Sequence, residues 1–203
     1  MKLTLTTFLS LDGVMQAPGQ PDEDREGGFE LGGWQIPHSD EDMGTFLGEW
    51  FKEADAFLFG RKTYQIFAAH WPNFIDDSDP IATKLNNCPK YVVSETLDTA
   101  DWAGTTILKG DFIEEIIRLK NEPGNELQVH GSGALARTLI EHGLVDEYRL
   151  WFFPVFLGKG KRLFENGDGL ATLSLVETKK TSAGAVVHIY RPAPPATEAA
   201  AAA

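Results

Sequence analysis

Gly60-Arg61-Lys62-Thr63 stands where a run of core-type residues, 54–59, gives way to an amphipathic stretch. A strand that becomes a helix at such a point leaves backbone N–H groups unpaired and turns the positive end of the helix dipole outward, which makes an anion site. Arg61 and Lys62 add mobile positive charge. Cations in the first turn of a helix oppose its dipole, so they want a reason such as a bound phosphate; the bland alternative is a solvated basic turn. A second junction, Gly131-Ser132-Gly133-Ala134-Leu135, follows the strand-like run 126–130, and its small residues let a pyrophosphate approach the backbone. It lacks the third glycine and the acid about 20 residues on that mark a Rossmann fingerprint, and there is no Walker lysine. Ser94-Glu95-Thr96 ends the run 91–93 and offers hydroxyls at a third edge. Three such edges on one sheet suit an extended, phosphate-bearing ligand such as a dinucleotide.

The elements that must position these turns follow from hydrophobic periodicity. Short β-branched or aromatic runs alternate with amphipathic segments, the pattern of helices packed on a central, largely parallel sheet. Strands are expected at 3–9, 54–59, 91–93, 105–108 and 126–130. Helices are expected from Ser39 or Asp40, with Phe46, Leu47, Trp50 and Phe51 as the buried stripe, then at 61–70, 81–86, 111–121 and 131–142, the last closed by Gly143. After residue 143 the helices stop. Runs at 147–155, 172–181 and 185–191 read as strands, the last two joined through Ser182-Ala183-Gly184, so antiparallel strands extend the sheet and make it mixed. The connection 12–39, rich in Gly, Pro and acids, is long enough to be functional or mobile.

Composition narrows the classes. Hydrophobic residues make up 42% and charged residues 24%, which fits a globular domain over residues 1–191, with 192–203 a disordered Pro/Ala-rich tail. No apolar run reaches the ~20 residues of a membrane span, and the amino terminus alternates too strictly for a signal peptide. Cys88 is the only cysteine, so an internal disulfide is excluded and a reducing cytoplasm is the expected compartment. Lacking a neighbouring histidine or basic pair, its thiol reads as inert packing. A net charge of −12 argues against nucleic acid and anionic membranes as partners, and requires any phosphate ligand to be captured by local donors.

Taken together, Ser10-Leu11-Asp12-Gly13, Gly32-Gly33-Trp34, Gly60-Arg61-Lys62-Thr63-Tyr64, Val93-Ser94-x-Thr96-Leu97, Gly131-Ser132-Gly133 and Pro154-Val155-x-Leu157-Gly158-x-Gly160 resemble, in order and spacing, the dihydrofolate reductase-like superfamily. The resemblance is to the branch of the riboflavin-biosynthesis reductase (RibD C-terminal) domain. It implies a three-layer α/β fold, a mixed central sheet with helices on both faces. It further implies NADPH bound across the sheet, with Arg61, Lys62, Thr63, Ser94, Glu95 and Thr96 near the adenosine end. Gly131, Ser132, Gly133, Ala134 and Leu135 would surround the pyrophosphate, with His130 before them as a further cofactor-binding residue. Such a protein reduces a small heterocycle by hydride transfer, and its relatives often pair as homodimers; the apolar strand Leu150-Trp151-Phe152-Phe153 is a reasonable contact. Riboflavin-pathway reductases carry a lysine and a glutamate where this chain has Thr6 and His130, so a ribosylamino-pyrimidine phosphate is not the expected substrate. Glu95 stands where many relatives have arginine, and a carboxylate suits a ribose hydroxyl better than a phosphate, which admits NADH as well.

On the substrate side the residues leave alternatives open. Asp12 orients a substrate amine or the nicotinamide amide as the catalytic residue, or it makes an Asx turn before Gly13. Trp34 stacks on a flat ring as a substrate-binding residue, or it closes the core as a lid. His130 donates to a ligand, or it is a satisfied histidine at a strand end. The other histidines are dispersed, and Asp76, Asp77 and Asp79 lack the glycine and distal glutamate of a cation loop, so no metal site is expected. A non-catalytic dinucleotide-binding sensor or oligomerisation module is the rival to the reductase.

Overall fold

In the computed structural model, which describes residues 1–164 and 172–193, the expected alternation resolves into eight strands and five α-helices. The strands are β1 (Lys2–Ser10), β2 (Ala54–Gly60), β3 (Lys90–Val93), β4 (Thr105–Leu108), β5 (Glu126–His130), β6 (Glu147–Phe153), β7 (Leu173–Lys180) and β8 (Val186–Pro192). The helices are α1 (Glu41–Lys52), α2 (Arg61–His70), α3 (Pro80–Asn87), α4 (Phe112–Lys120) and α5 (Gly133–Glu141). They form one sheet in the order β4-β3-β2-β5-β1-β6-β8-β7. The first six strands run parallel, and β8 pairs antiparallel with both β6 and β7. β5 therefore enters between β2 and β1, the kind of switch point at which open α/β sheets form a crevice beyond their carboxyl ends.

The central strands are covered on both faces, which explains the near-continuous apolar run of β2. Ala56 and Leu58 face Ile116 and Leu119 of α4 and Leu135 and Leu139 of α5. Phe57 and Phe59 face Phe51 of α1, Tyr64 of α2 and Leu85 of α3. Local chemistry sets the helix starts: the Asp40 carboxylate accepts from Met43 N–H (2.8 Å), and Asp79 accepts from Ile81 N–H (2.7 Å) ahead of Pro80.

Three expectations change. β8 continues through Pro192, and Ala193 N–H bonds to the Thr172 carbonyl, so the ordered unit outlasts residue 191; residues 194–203 lie outside the described residues. In α1, Met43, Trp50 and Phe51 are buried, while Phe46 and Leu47 are only half-buried. The larger correction concerns β6. It lies inside the sheet between β1 and β8, and Trp151 is fully buried against Phe8, Trp50 and Phe153. A contact between copies of the chain cannot use that side chain. Among the described residues no helix is long and apolar enough to cross a membrane, and no cluster of metal-ligating side chains forms.

Candidate functional site

The carboxyl ends of β3, β2, β5 and β1 lie side by side, so the three predicted turns gather at one edge. Ser132 joins two of them. Its hydroxyl accepts from Gly60 N–H (2.9 Å) and donates to Thr63 Oγ1 (2.7 Å), tying the start of α5 to the start of α2. A Cβ on Gly60 would sit 3.0 Å from Ser132 Cβ, so this approach needs glycine. Ser132 itself is left-handed (φ 63°), unusual for a residue with a side chain. Such a conformation costs on the order of 1 kcal/mol, and the two hydroxyl bonds hold it. Neither helix receives a side-chain cap, so the first-turn N–H groups of both remain free to meet an anion.

One strand over, Ser94 is buried, and its hydroxyl accepts from Thr96 N–H (3.2 Å) and Leu97 N–H (3.0 Å), shaping the turn after β3. Glu95 Oε1 accepts from Gly110 N–H (2.8 Å), which fixes a carboxylate beside that turn. Arg61 is exposed and has no ion-pair partner among the described residues. Lys62 is engaged: its Nζ pairs with Asp24 (3.3 Å) and with Glu26. Lys161, from the loop after β6, pairs with the same two acids at 2.6 Å each. The long connection after β1 is thus fastened over the first turn of α2, and Lys161 and Lys62 hold the Glu26 carboxyl below its ordinary pKa.

Asp12 is also engaged. Its carboxylate accepts from Ser10 Oγ (2.7 Å), Leu157 N–H (3.1 Å) and Gly158 N–H (2.9 Å), with Arg162 Nη2 at 3.3 Å. Burial opposes ionisation, but the bonds from Leu157, Ser10 and Gly158 outweigh it and bring the pKa down to about 2. This geometry fastens the turn after β1 to the loop after β6. Trp34 is 7% exposed, its Nε1–H donates to the Gln16 carbonyl (2.8 Å), and its ring meets Phe153 edge-on at 5.7 Å. It roofs an aromatic cluster.

His130 ends β5 with its side chain on the α1 face, stacked on Phe51 at 4.4 Å, apart from the Gly131–Leu135 turn that continues the chain. Burial beside the Arg149 charge drives its pKa down to about 3, so the ring is neutral. Its Nε2 lies 3.0 Å from Gln128 Oε1. Gln128 Nε2–H donates to the Trp50 carbonyl (2.6 Å) and to Glu126 (2.7 Å), and Glu126 pairs with Arg149 (2.6 Å), which also pairs with Glu147 (2.9 Å). Sequence reasoning missed this buried chain. Its signal was present as polar residues at every second position of Glu126-x-Gln128-x-His130 and Glu147-x-Arg149, in strands whose other positions are apolar. Asp24, Glu26 and Lys161 were missed too, and no spacing announces them.

A curated relative, the uncharacterized protein YyaP of Bacillus subtilis, is 34% identical over 153 residues, covering 74% of this chain and 80% of its own. A pyrimidine reductase-like protein of Corynebacterium diphtheriae superposes with a TM-score of 0.63 at 12% identity, covering 96% of this chain and 92% of the other. Dihydrofolate reductase of Enterococcus faecalis, solved with NADP(H) and RAB-propyl, superposes with a TM-score of 0.61 at 13% identity, covering 95% and 97%. These structural likenesses bear on the fold, which is the three-layer dihydrofolate reductase-like architecture. The RibD C-terminal domain profile matches residues 1–187, so a chain whose glycine turns meet through Ser132 at the carboxyl edge of such a sheet belongs to the RibD C-terminal domain family.

Proposed function

We infer that the protein is an NADPH-dependent reductase of a small heterocycle, with NADH admitted because Glu95 stands beside Ser94. The observation that carries the reading is the Ser132 bridge, which sets two uncapped helix starts against each other where a pyrophosphate needs two sets of backbone donors. The residues present fit the cofactor. Gly131 leaves room for close approach, with no atom nearer than Thr63 Oγ1 at 3.9 Å to where a Cβ would stand, Arg61 is a cation without an ion-pair partner among the described residues, and Ser94 and Thr96 adjoin at the next strand end. When bound, a reduced nicotinamide supplies the hydride. The chain binds, orients and excludes water: the turns at Thr63 and Leu135 hold the phosphates, and the connection carrying Trp34 shields the reacting edge.

The test is calorimetric titration with NADPH and NADH, followed by loss of the reduced-nicotinamide absorbance with a panel of heterocycles. Ser132→Gly keeps the left-handed backbone and removes the hydroxyl, and it should weaken dinucleotide binding about tenfold, the equivalent of one hydrogen bond to a buried partner. No heat with either dinucleotide would overturn the reading. Tight binding without oxidation of any panel compound would make the protein a sensor instead.

A further inference from the structure

The α1 face of β1 and β5 carries a polar stripe whose upper end is not used within the fold. Thr6 and His130 are register partners on these adjacent parallel strands, so their side chains emerge together on one face at the carboxyl edge. Below them Gln128, Glu126 and Arg149 have set partners, while the Thr4 hydroxyl, in register with Gln128, is sealed in without one. The Trp50 carbonyl can only accept, so the Gln128 atom facing it is the NH2 group, and Gln128 Oε1 faces His130. An amide oxygen cannot donate. His130 Nε2 must therefore carry the ring proton, which leaves Nδ1 of this neutral imidazole as a bare acceptor. Nδ1 and the Thr6 hydroxyl have no hydrogen-bond partner among the described residues. Neither is among the polar atoms sealed in the core without a partner, which are the hydroxyls of Thr4, Thr7, Thr83 and Thr105 and the Trp151 indole nitrogen. A histidine 9% exposed, clamped on one nitrogen and open on the other, is built to meet something.

The charge beside the pair, Arg149, is the β6 register partner of Thr6 and is already matched by Glu126 and Glu147. Glu126 is neutralised by Arg149 and Lys2. At the start of α1, Asp40 accepts from Met43 and Ala183 N–H and Asp42 from Ser182, while Glu41 is exposed. The neighbouring charges Arg149 and Glu126 are matched to each other and to Glu147 and Lys2, which favours an uncharged ring over an ion.

Resting on the reductase reading above, we propose that Thr6 and His130 are the polar contacts to the ring that is reduced, and that this ring is an uncharged lactam-type heterocycle, its N–H donating to His130 Nδ1 and its carbonyl accepting from Thr6. Phe51, stacked on the imidazole, keeps the acceptor aimed. Gln128 is a positioning residue, acting through the tautomer it imposes.

Two measurements test this. In the 15N-histidine NMR spectrum of the full chain, His130 should be the Nε2–H tautomer at pH 7; a proton on Nδ1 overturns the proposal. Binding of lumazine and of its 1,3-dimethyl derivative is then compared on protein saturated with NADP+. The parent lactam should bind about tenfold to a hundredfold more tightly, the range expected when a fixed acceptor is left unpaired. Thr6→Val and His130→Phe should shrink that ratio severalfold, and His130→Asn, whose amide oxygen can stand in for Nδ1, should restore most of it. Equal affinities for the two lumazines, no binding of either, or an unchanged ratio in both Thr6→Val and His130→Phe overturns the proposal while NADP+ still binds. Failure of NADP+ to bind overturns the reductase reading instead, and the tautomer and the lumazine ratio on the unloaded protein still decide this assignment.

Discussion

At the scale of single residues, this chain spends its polar side chains on holding loops in place. Asp12 shows how this defeats reading from sequence: its nearby partner, Ser10, is visible in the motif, but Leu157, Gly158 and Arg162 come from about 150 positions away. An Asx turn and a catalytic acid look the same until those donors are in place. The consequence is measurable. Because the folded carboxyl titrates at about 2, below its unfolded value of 3.8, its stabilisation is full above pH 4 and is lost as pH falls toward 2. Asp12→Asn, which turns an NH2 group toward backbone donors, should cost about 1–2 kcal/mol at pH 7. In urea denaturation the gap to the parent protein should narrow steadily between pH 4 and pH 2; a gap independent of pH would mean that packing, not charge, sets the cost.

Elements were far more legible than their partners. Every strand and helix read from periodicity is present, because apolar alternation and caps such as Asp40 and Asp79 act within a few residues. The Gly60 and Gly131 turns were legible for the same reason. The path of the connection 12–39 was not, since ion pairs between its acids and Lys62 or Lys161 obey no period. Those pairs set an element-scale competition: Asp24 and Glu26 occupy a cation in the very turn proposed to hold phosphate. Neutralising both, as Asp24→Asn with Glu26→Gln, should free Lys62 and Lys161 and tighten NADPH binding roughly threefold to tenfold at low salt. Near 1 M salt, where the screening length is only ~3 Å, the advantage should vanish. Fluorescence titration across salt decides this, and weaker binding at low salt would show that the attached loop contributes more than the cations it masks.

At the scale of the whole molecule, the buried charges bind distant parts of the chain into one unit. Lys2 at the amino end, Glu126 in the middle, Glu147 and Arg149 on β6 and Arg191 near the carboxyl end all meet beneath α1. Arg149 is the centre of the group: its side chain is 5% exposed, it reaches both carboxylates, and it lies 4.9 Å over the Trp50 ring. Removing it takes the one buried cation from two buried carboxylates and leaves them only the partly exposed Lys2 and Arg191, whereas removing Arg191, with a side chain 55% exposed, leaves Glu147 still paired with Arg149 and Lys2. Arg149→Met should therefore lose about 3–5 kcal/mol, and Arg191→Met less than about 1 kcal/mol. Because the network crosses β1, β5, β6 and β8, the parallel and antiparallel parts of the sheet should unfold together, with tryptophan fluorescence and far-ultraviolet circular dichroism tracing one transition in both variants. Separate transitions, or equal losses for the two arginines, would mean that the apolar layers alone join the halves and that the buried charges serve only to aim Gln128 and His130.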